Sequence, residues 1–263
     1  MPACTRSPPI FQTLRDRLSR LARRAGYEVR QYTPLRSFAA AREELMSRHG
    51  VEVVLDVGAN AGQYGELLRE RGYGGRLVSL EPVAEAFAQL ELVARADGNW
   101  EAVRVAASDA DGELTLNVTG DSRSTSALAR NERFADLPGW APKETQVVSA
   151  RTLDGLVPEL LRAGERAYLK LDVQGYEQQV LAGAGGVLDR FEAIELELSV
   201  TPLYEGQPGL GEMLPLLARH GFRAVSLEPI LLDEDGLLME LDGLFARARP
   251  RAERDPTAAG PGA

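Results

Sequence analysis

The chain has 263 residues, 44% of them apolar and 26% charged, which suits one large globular core and leaves little for a second. A formal net charge of -9 argues against a general nucleic-acid binder, whose footprint is basic. Cys4 is the only cysteine, so an intrachain disulfide and a cysteine-rich zinc site are excluded; the two histidines, His49 and His220, lie in no recognisable motif.

The start of the chain lacks an apolar core followed by a small-residue cleavage site, and no stretch approaches the roughly 20 apolar residues that span a bilayer. The expected location is the cytoplasm. Residues 1–36 read as a basic helical extension. Arg6, Arg15, Arg17, Arg20, Arg23, Arg24 and Arg30 stand there against Asp16 and Glu28. Phe11, Leu14, Leu18 and Leu21 fall at helical spacing. Two readings stand: a helix packed over the main domain, or one lying on an acidic membrane surface or a partner.

Residues 37–248 read as the main domain. The pattern predicts a helix over 37–49, a buried strand over 51–57, a helix over 63–71 and a strand over 76–80. A helix over 83–96 and a third strand over 101–107 follow. This alternation is the signature of a parallel, doubly wound α/β sheet. The rhythm then breaks. An exposed strand is expected over 113–118, and a long polar insertion over 120–143, either a binding loop or a plain surface loop. Strands over 146–150, 167–173 and 193–199 alternate with helices over 153–163, 176–182 and 212–219. Two late strands, over 222–227 and 237–241, flank a turn at 233–236, and 249–263 reads as a disordered tail.

The run Asp56-Val57-Gly58-Ala59-Asn60-Ala61-Gly62 ends a strand and opens a helix. Glycine lets the backbone turn sharply and lets a ligand approach, and the helix start offers free amides. The spacing is not the G-x-G-x-x-G of a dinucleotide site: Gly58 and Gly62 stand four apart with Asn60 between. Asp56 beside the turn would repel a pyrophosphate but suits the ammonium and sulfonium of S-adenosylmethionine. Glu81, at the end of the second strand, is placed to accept hydrogen bonds from both ribose hydroxyls, a device shared with NAD sites. Ser108 or Asp109 could meet the adenine, or serve only the turn.

Tyr168-Leu169-Lys170-Leu171-Asp172-Val173-Gln174-Gly175-Tyr176-Glu177 is the second dense feature. Lys170 and Asp172 share a face, two residues apart on a buried strand, and Glu177 enters the next helix. Ligands of open α/β sheets bind at this carboxyl edge. The plain alternative is a Lys170 salt bridge and a helix-start acid at Glu177.

On these segments the chain resembles the FkbM family of methyltransferases. The likeness runs from Leu55-Asp56-Val57-Gly58-Ala59-Asn60-Ala61-Gly62-Gln63-Tyr64 through Ser79-Leu80-Glu81-Pro82 and Thr152-Leu153-Asp154. It continues through Leu169 to Glu177, Glu195-Leu196-Glu197-Leu198-Ser199, Pro202-Leu203-Tyr204-Glu205-Gly206 and Asp242-Gly243-Leu244-Phe245. It does not extend to the arginine-rich start. The resemblance implies a class I methyltransferase fold, Rossmann-like, with a mostly parallel seven-stranded sheet and a reversed last strand. It implies S-adenosylmethionine as donor and O-methylation of a hydroxyl on a sugar or polyketide-type molecule.

A hydroxyl acceptor needs a base, and with so little histidine a carboxylate is expected: Asp172 first, Glu197 next, with Glu177 positioning acceptor or donor. Asp172 and Glu197 could also hold Mg²⁺, but the sequence supplies too few certain oxygen ligands to expect a metal. The insertion 120–143 and the loop 200–210 are expected to form the acceptor pocket, where Phe134, Trp140 and Tyr204 could stack on a sugar or simply pack. N-methylation, a nucleic-acid acceptor, an NAD-linked oxidoreductase and a non-catalytic binding module are the alternatives.

Overall fold

The computed structural model describes residues 9–27, 32–120, 124–134 and 142–247. In chain order come α1 (Pro9–Arg24), α2 (Phe38–His49), β1 (Val53–Val57), α3 (Gln63–Glu70), β2 (Arg76–Leu80), α4 (Ala84–Asp97), β3 (Trp100–Val103), β4 (Ala106–Ser108) and β5 (Gly112–Thr119). Then follow β6 (Pro142–Thr152), α5 (Leu153–Leu160), β7 (Ala167–Leu171), α6 (Glu177–Ala182), β8 (Phe191–Ser199), α7 (Leu210–Arg219), β9 (Phe222–Leu232) and β10 (Leu238–Arg247).

Seven strands form the main sheet in the order β3-β2-β1-β7-β8-β10-β9. The pairs from β3 to β8 are parallel, while β10, last in the chain, runs antiparallel to β8 and β9. This is the expected doubly wound sheet with its reversed last strand. The late strands are longer than the alternation predicts, because β9 and β10 extend together as one hairpin about the 233–236 turn.

β1 sits centrally and all five of its residues are buried. Alternate side chains point to opposite faces. Val53, Leu55 and Val57 enter the larger core, while Val54 joins Leu77, Tyr168 and Ala193 in a second core beneath α2. One step further on that second face stand Asp56, Ser79, Lys170 and Glu195, which the register pairs as Asp56 with Ser79, Asp56 with Lys170, and Lys170 with Glu195. The sheet face under α2 therefore turns from apolar to polar toward its carboxyl edge. Ser37 caps α2 by accepting the Ala40 amide at 3.3 Å, and Phe38, Ala41, Leu45 and Met46 bury its inner side.

The third strand departs from expectation. Instead of one strand over 101–107 there are two, in different sheets. β3 is an edge strand, so the chain leaves it by giving up a single ladder. The Val105 amide bonds back to Val103 at 3.2 Å, and β4 then pairs with β6 in a separate sheet, β4-β6-β5. β5 and β6 pair antiparallel, and the polar insertion, of which residues 124–134 are described between the two strands, connects them. In α1, Leu18 and Leu21 are exposed, so among the described residues neither is packed into a core. Trp140 and the expected tail over 249–263 lie outside the described residues, as do the side chains of Phe11 and Leu14.

Candidate active site

A cavity of about 430 Å³ opens at the carboxyl ends of β2, β1, β7 and β8, within the range of cofactor and small-molecule sites. The sheet order places its acids in sequence along the edge: Glu81 after β2, Asp56 on β1, Asp172 after β7 and Glu197 on β8.

Glu81 is buried, and its two oxygens accept the amides of Asn60 at 2.9 Å and Val83 at 2.7 Å. Burial pushes its carboxyl up to about 7. Asn60 holds this position with a positive φ of 49°. Gly58, at φ 82°, is required by crowding as well: a Cβ there would lie 1.9 Å from the backbone oxygen of Asp172. The β1 and β7 turns thus touch backbone to backbone. Asp56 lies at the cavity floor, where Ser79 donates to it at 3.2 Å and the Trp100 indole donates to Ser79 at 3.0 Å. Burial pushes Asp56 up to about 7, against the pull of Lys170.

Three of the expected binding residues do not line the cavity. Gly62 turns toward the core: a Cβ on it would meet Val93 at 2.9 Å, so it serves the helix start and packing. Ser108 donates to Asp109 at 3.1 Å and lies 3.2 Å from the Tyr176 hydroxyl. Because β4 belongs to the second sheet, the wall here is Val105, Ala106, Leu114 and Leu116, and neither Ser108 nor Asp109 reaches the cavity.

At the other end, Asp172 faces Lys170 across 3.6 Å. The Gln174 amide nitrogen donates to Asp172 at 3.1 Å and to Glu197 at 2.8 Å. Its amide oxygen accepts from the Tyr204 hydroxyl at 3.0 Å, and its backbone oxygen accepts from the Ser126 hydroxyl at 2.6 Å. Gln174 pays for this with a positive φ of 54°. Burial, then the charge of Asp172, raises Glu197 well above the ordinary carboxylate value. Lys170 is buried; the carboxylates of Asp172, Glu195, Glu197 and Asp242 outweigh that burial and raise its affinity for the proton. Glu177 does not face the cavity. Its carboxylate accepts the amides of Val173 at 3.1 Å and Gly175 at 3.3 Å, bracing the turn from behind.

One group of residues escaped the sequence reading. Arg42 on α2 reaches Glu195 on β8, which also accepts from the hydroxyls of Tyr168 and Tyr64. Tyr64 lines the cavity, with Arg42 and Lys170 at 5.3 and 5.8 Å from its ring centre. The available signal was Arg42 standing among the apolar positions of its helix. His49 pairs instead with Glu192 at 2.8 Å, and neither histidine lines the cavity. Among the described residues no group of three His, Cys, Asp or Glu side chains is arranged to hold a metal. The Gln174 amide bridges Asp172 and Glu197.

The seven-stranded sheet with its reversed last strand is the Rossmann-like arrangement expected of the class I methyltransferase fold. The methyltransferase FkbM domain model matches residues 56–224, more than half of the chain, and the chain belongs to that family. No curated protein matches the chain. Among solved structures, a methyltransferase FkbM from Methylobacillus flagellatus KT is 15% identical with a TM-score of 0.47, over 73% of this chain and 43% of that one. The chain thus spans less than half the length of that relative. The METTL16 methyltransferase domain is 9% identical with a TM-score of 0.45, over 80% and 68% of the two chains. The plantazolicin methyltransferase BamL, solved with a triazolic desmethylPZN analog and SAH, is 11% identical with a TM-score of 0.45, over 78% and 81%. The assignment rests on the family match.

Proposed function

We propose that the protein transfers a methyl group from S-adenosylmethionine to a hydroxyl of a sugar-containing or polyketide-type small molecule, with Asp172 as the base. The observation that carries this is the amide-bridged pair Asp172 and Glu197 in the same cavity as Glu81. The cavity fits the donor: apolar Val83, Val105 and Leu116 suit a purine, and Glu81 keeps lone pairs for ribose hydroxyls beyond the two amides it accepts. The charged end, with Asp56, Lys170 and Asp172, suits an amino-acid zwitterion next to a sulfonium. When bound, S-adenosylmethionine supplies an electrophilic methyl group.

The chain supplies alignment and a destination for the hydroxyl proton. Burial, then the charge of Asp172, disfavours the ionised form of Glu197, while Asp172 opens to the cavity, which favours Asp172 as the acceptor. Asp172 is more than one-third exposed, toward the cavity. Tyr204 from the 200–210 loop and Ser126 from the 120–143 insertion converge on Gln174, which supports an acceptor position between these two segments.

A screen of sugar and glycosylated hydroxyl acceptors, reading S-adenosylhomocysteine, tests the reaction. Asp172→Asn should bind S-adenosylhomocysteine normally and lose turnover by about 10²–10⁴-fold. A fully active Asp172→Asn would remove the base from this scheme, and failure of the native protein to bind S-adenosylhomocysteine would remove the donor.

A further inference from the structure

We infer that α1 docks the protein on the surface of an anionic phospholipid bilayer, with its leucine face in the lipid and its arginines against the headgroups. Leu18 and Leu21 are 55% and 62% exposed, and no core cluster among the described residues takes them up. Residues three and four apart share a helix face, so these two leucines stand together. The sequence continues the same spacing back through Leu14 and Phe11. Arg17, Arg20, Arg23 and Arg24 are exposed as well. Arg17 and Arg24 border the leucine face along one side, and Arg20 and Arg23 lie farther round the helix. Tyr27 donates its amide to the Ala22 carbonyl at 2.8 Å, which fixes it at the end of the same helix, and it is 71% exposed. Exposed leucines edged by arginines, with an aromatic residue at the end, are the makeup of a helix that lies in a bilayer interface.

Charge selects the occupant of this face. α1 carries five arginines against one acid, Asp16, on a chain whose net charge is -9. An anionic bilayer therefore attracts the helix and repels the acidic remainder, which holds the domain outward. A second copy of α1 on the same face would set arginines beside arginines. A nucleic acid would pair with the arginines but leave the leucines in water. Only a bilayer with anionic headgroups takes up both the charge and the apolar surface, and the docking is independent of which acceptor the enzyme methylates.

Flotation of the full chain with lipid vesicles tests the inference. Vesicles of phosphatidylcholine with about one-third phosphatidylglycerol should carry the protein at about 0.1 M salt, and pure phosphatidylcholine should not. Raising the salt to about 0.5 M should weaken binding at least tenfold. Arg17→Gln with Arg24→Gln should weaken it about 25-fold, about fivefold for each charge removed. Leu18→Ser with Leu21→Ser should weaken it about a hundredfold, about tenfold for each side chain withdrawn from lipid. Both leucines are exposed, so this pair should keep the native thermal midpoint. Absence of flotation with the anionic vesicles, equal flotation with pure phosphatidylcholine, or full flotation of the leucine pair would overturn the inference. A native dimer that the leucine pair dissolves, without flotation, would give the face to a second copy. Binding of polyuridylate without flotation would give the arginines to a nucleic acid.

Discussion

Arg42 and Glu195, 153 positions apart, join α2 to β8 through two buried hydrogen bonds of 2.6 and 2.7 Å. Their side chains are 10% and 1% exposed. Burial alone would raise the Glu195 carboxyl; Arg42, Lys170 and the Tyr168 hydroxyl outweigh it and hold it below its ordinary value. A planar fork on a carboxylate that is satisfied on its remaining sides is the arrangement that tolerates two charges inside a core. Arg42→Ala leaves Glu195 uncompensated and should lower the unfolding free energy by about 3–5 kcal/mol in urea titrations. A loss below about 1 kcal/mol would rank the pair with surface bridges.

Glu81 serves two roles in the scheme above. It holds the Asn60 and Val83 amides, and it offers its remaining lone pairs to the ribose. Glu81→Ala should therefore weaken S-adenosylhomocysteine by about a hundredfold, two hydrogen bonds to a charged acceptor being lost together. Calorimetry gives the number. An affinity within about threefold of native would place the ribose elsewhere.

The acids near the edge make stability depend on pH, with a sign that can be worked out. Burial raises Glu240 from an ordinary 4.5 to about 7, although Ser199 donates to it at 3.2 Å. Between those values the folded protein keeps a proton that the unfolded chain has released. The stabilisation is complete below 4.5 and is lost as pH rises through about 7. Asp56, Glu81 and Glu177 at about 7, and Asp242 at about 6, act in the same direction. Glu240→Gln, neutral at every pH, should be more stable than the native protein at pH 8 by about 1–3 kcal/mol and lose that advantage near pH 5. Equal stability differences at the two pH values would show that Glu240 is not titrating in this window.

The parts of the fold legible in the sequence are those where periodicity and burial coincide. β1 and β7 are short apolar runs ending in glycine turns, and both fall where the pattern predicts. The split of the third strand was hidden because residues 101–107 read as one strand, and local pattern cannot tell which sheet a residue joins. The same holds for side-chain direction. Asp56, Glu81, Asp172 and Glu197 reach the cavity, but Glu177 folds back on the amides of its own turn, a choice made by the three-dimensional path between Val173 and Gly175. Thr125, which lines the cavity, was unreadable for the opposite reason: it lies in a segment without periodicity, and the bridge of Ser126 to Asn117 and its bond to Gln174 bring that segment to the sheet edge.

Gln174 is a positioning residue in the proposed reaction, because every polar atom of its side chain is spent on a neighbour at the acceptor end. Its nitrogen donates to Asp172 and Glu197, and its oxygen accepts from Tyr204. Gln174→Glu keeps the size and replaces the shared donor with a third carboxyl group. Like charges brought together disfavour ionisation, so the base should take up its proton at higher pH than in the native enzyme. The acid limb of the kcat profile should therefore move upward, with kcat at neutral pH lower by about a hundredfold. The affinity for S-adenosylhomocysteine, set mainly by Glu81 and the apolar wall, should stay within about threefold. Gln174→Ala removes the donor without adding a charge, and should lower kcat without moving the limb as far. If both variants lose donor binding and kcat in equal measure while the pH profile keeps its shape, Gln174 supports the turn and does not orient the acid pair.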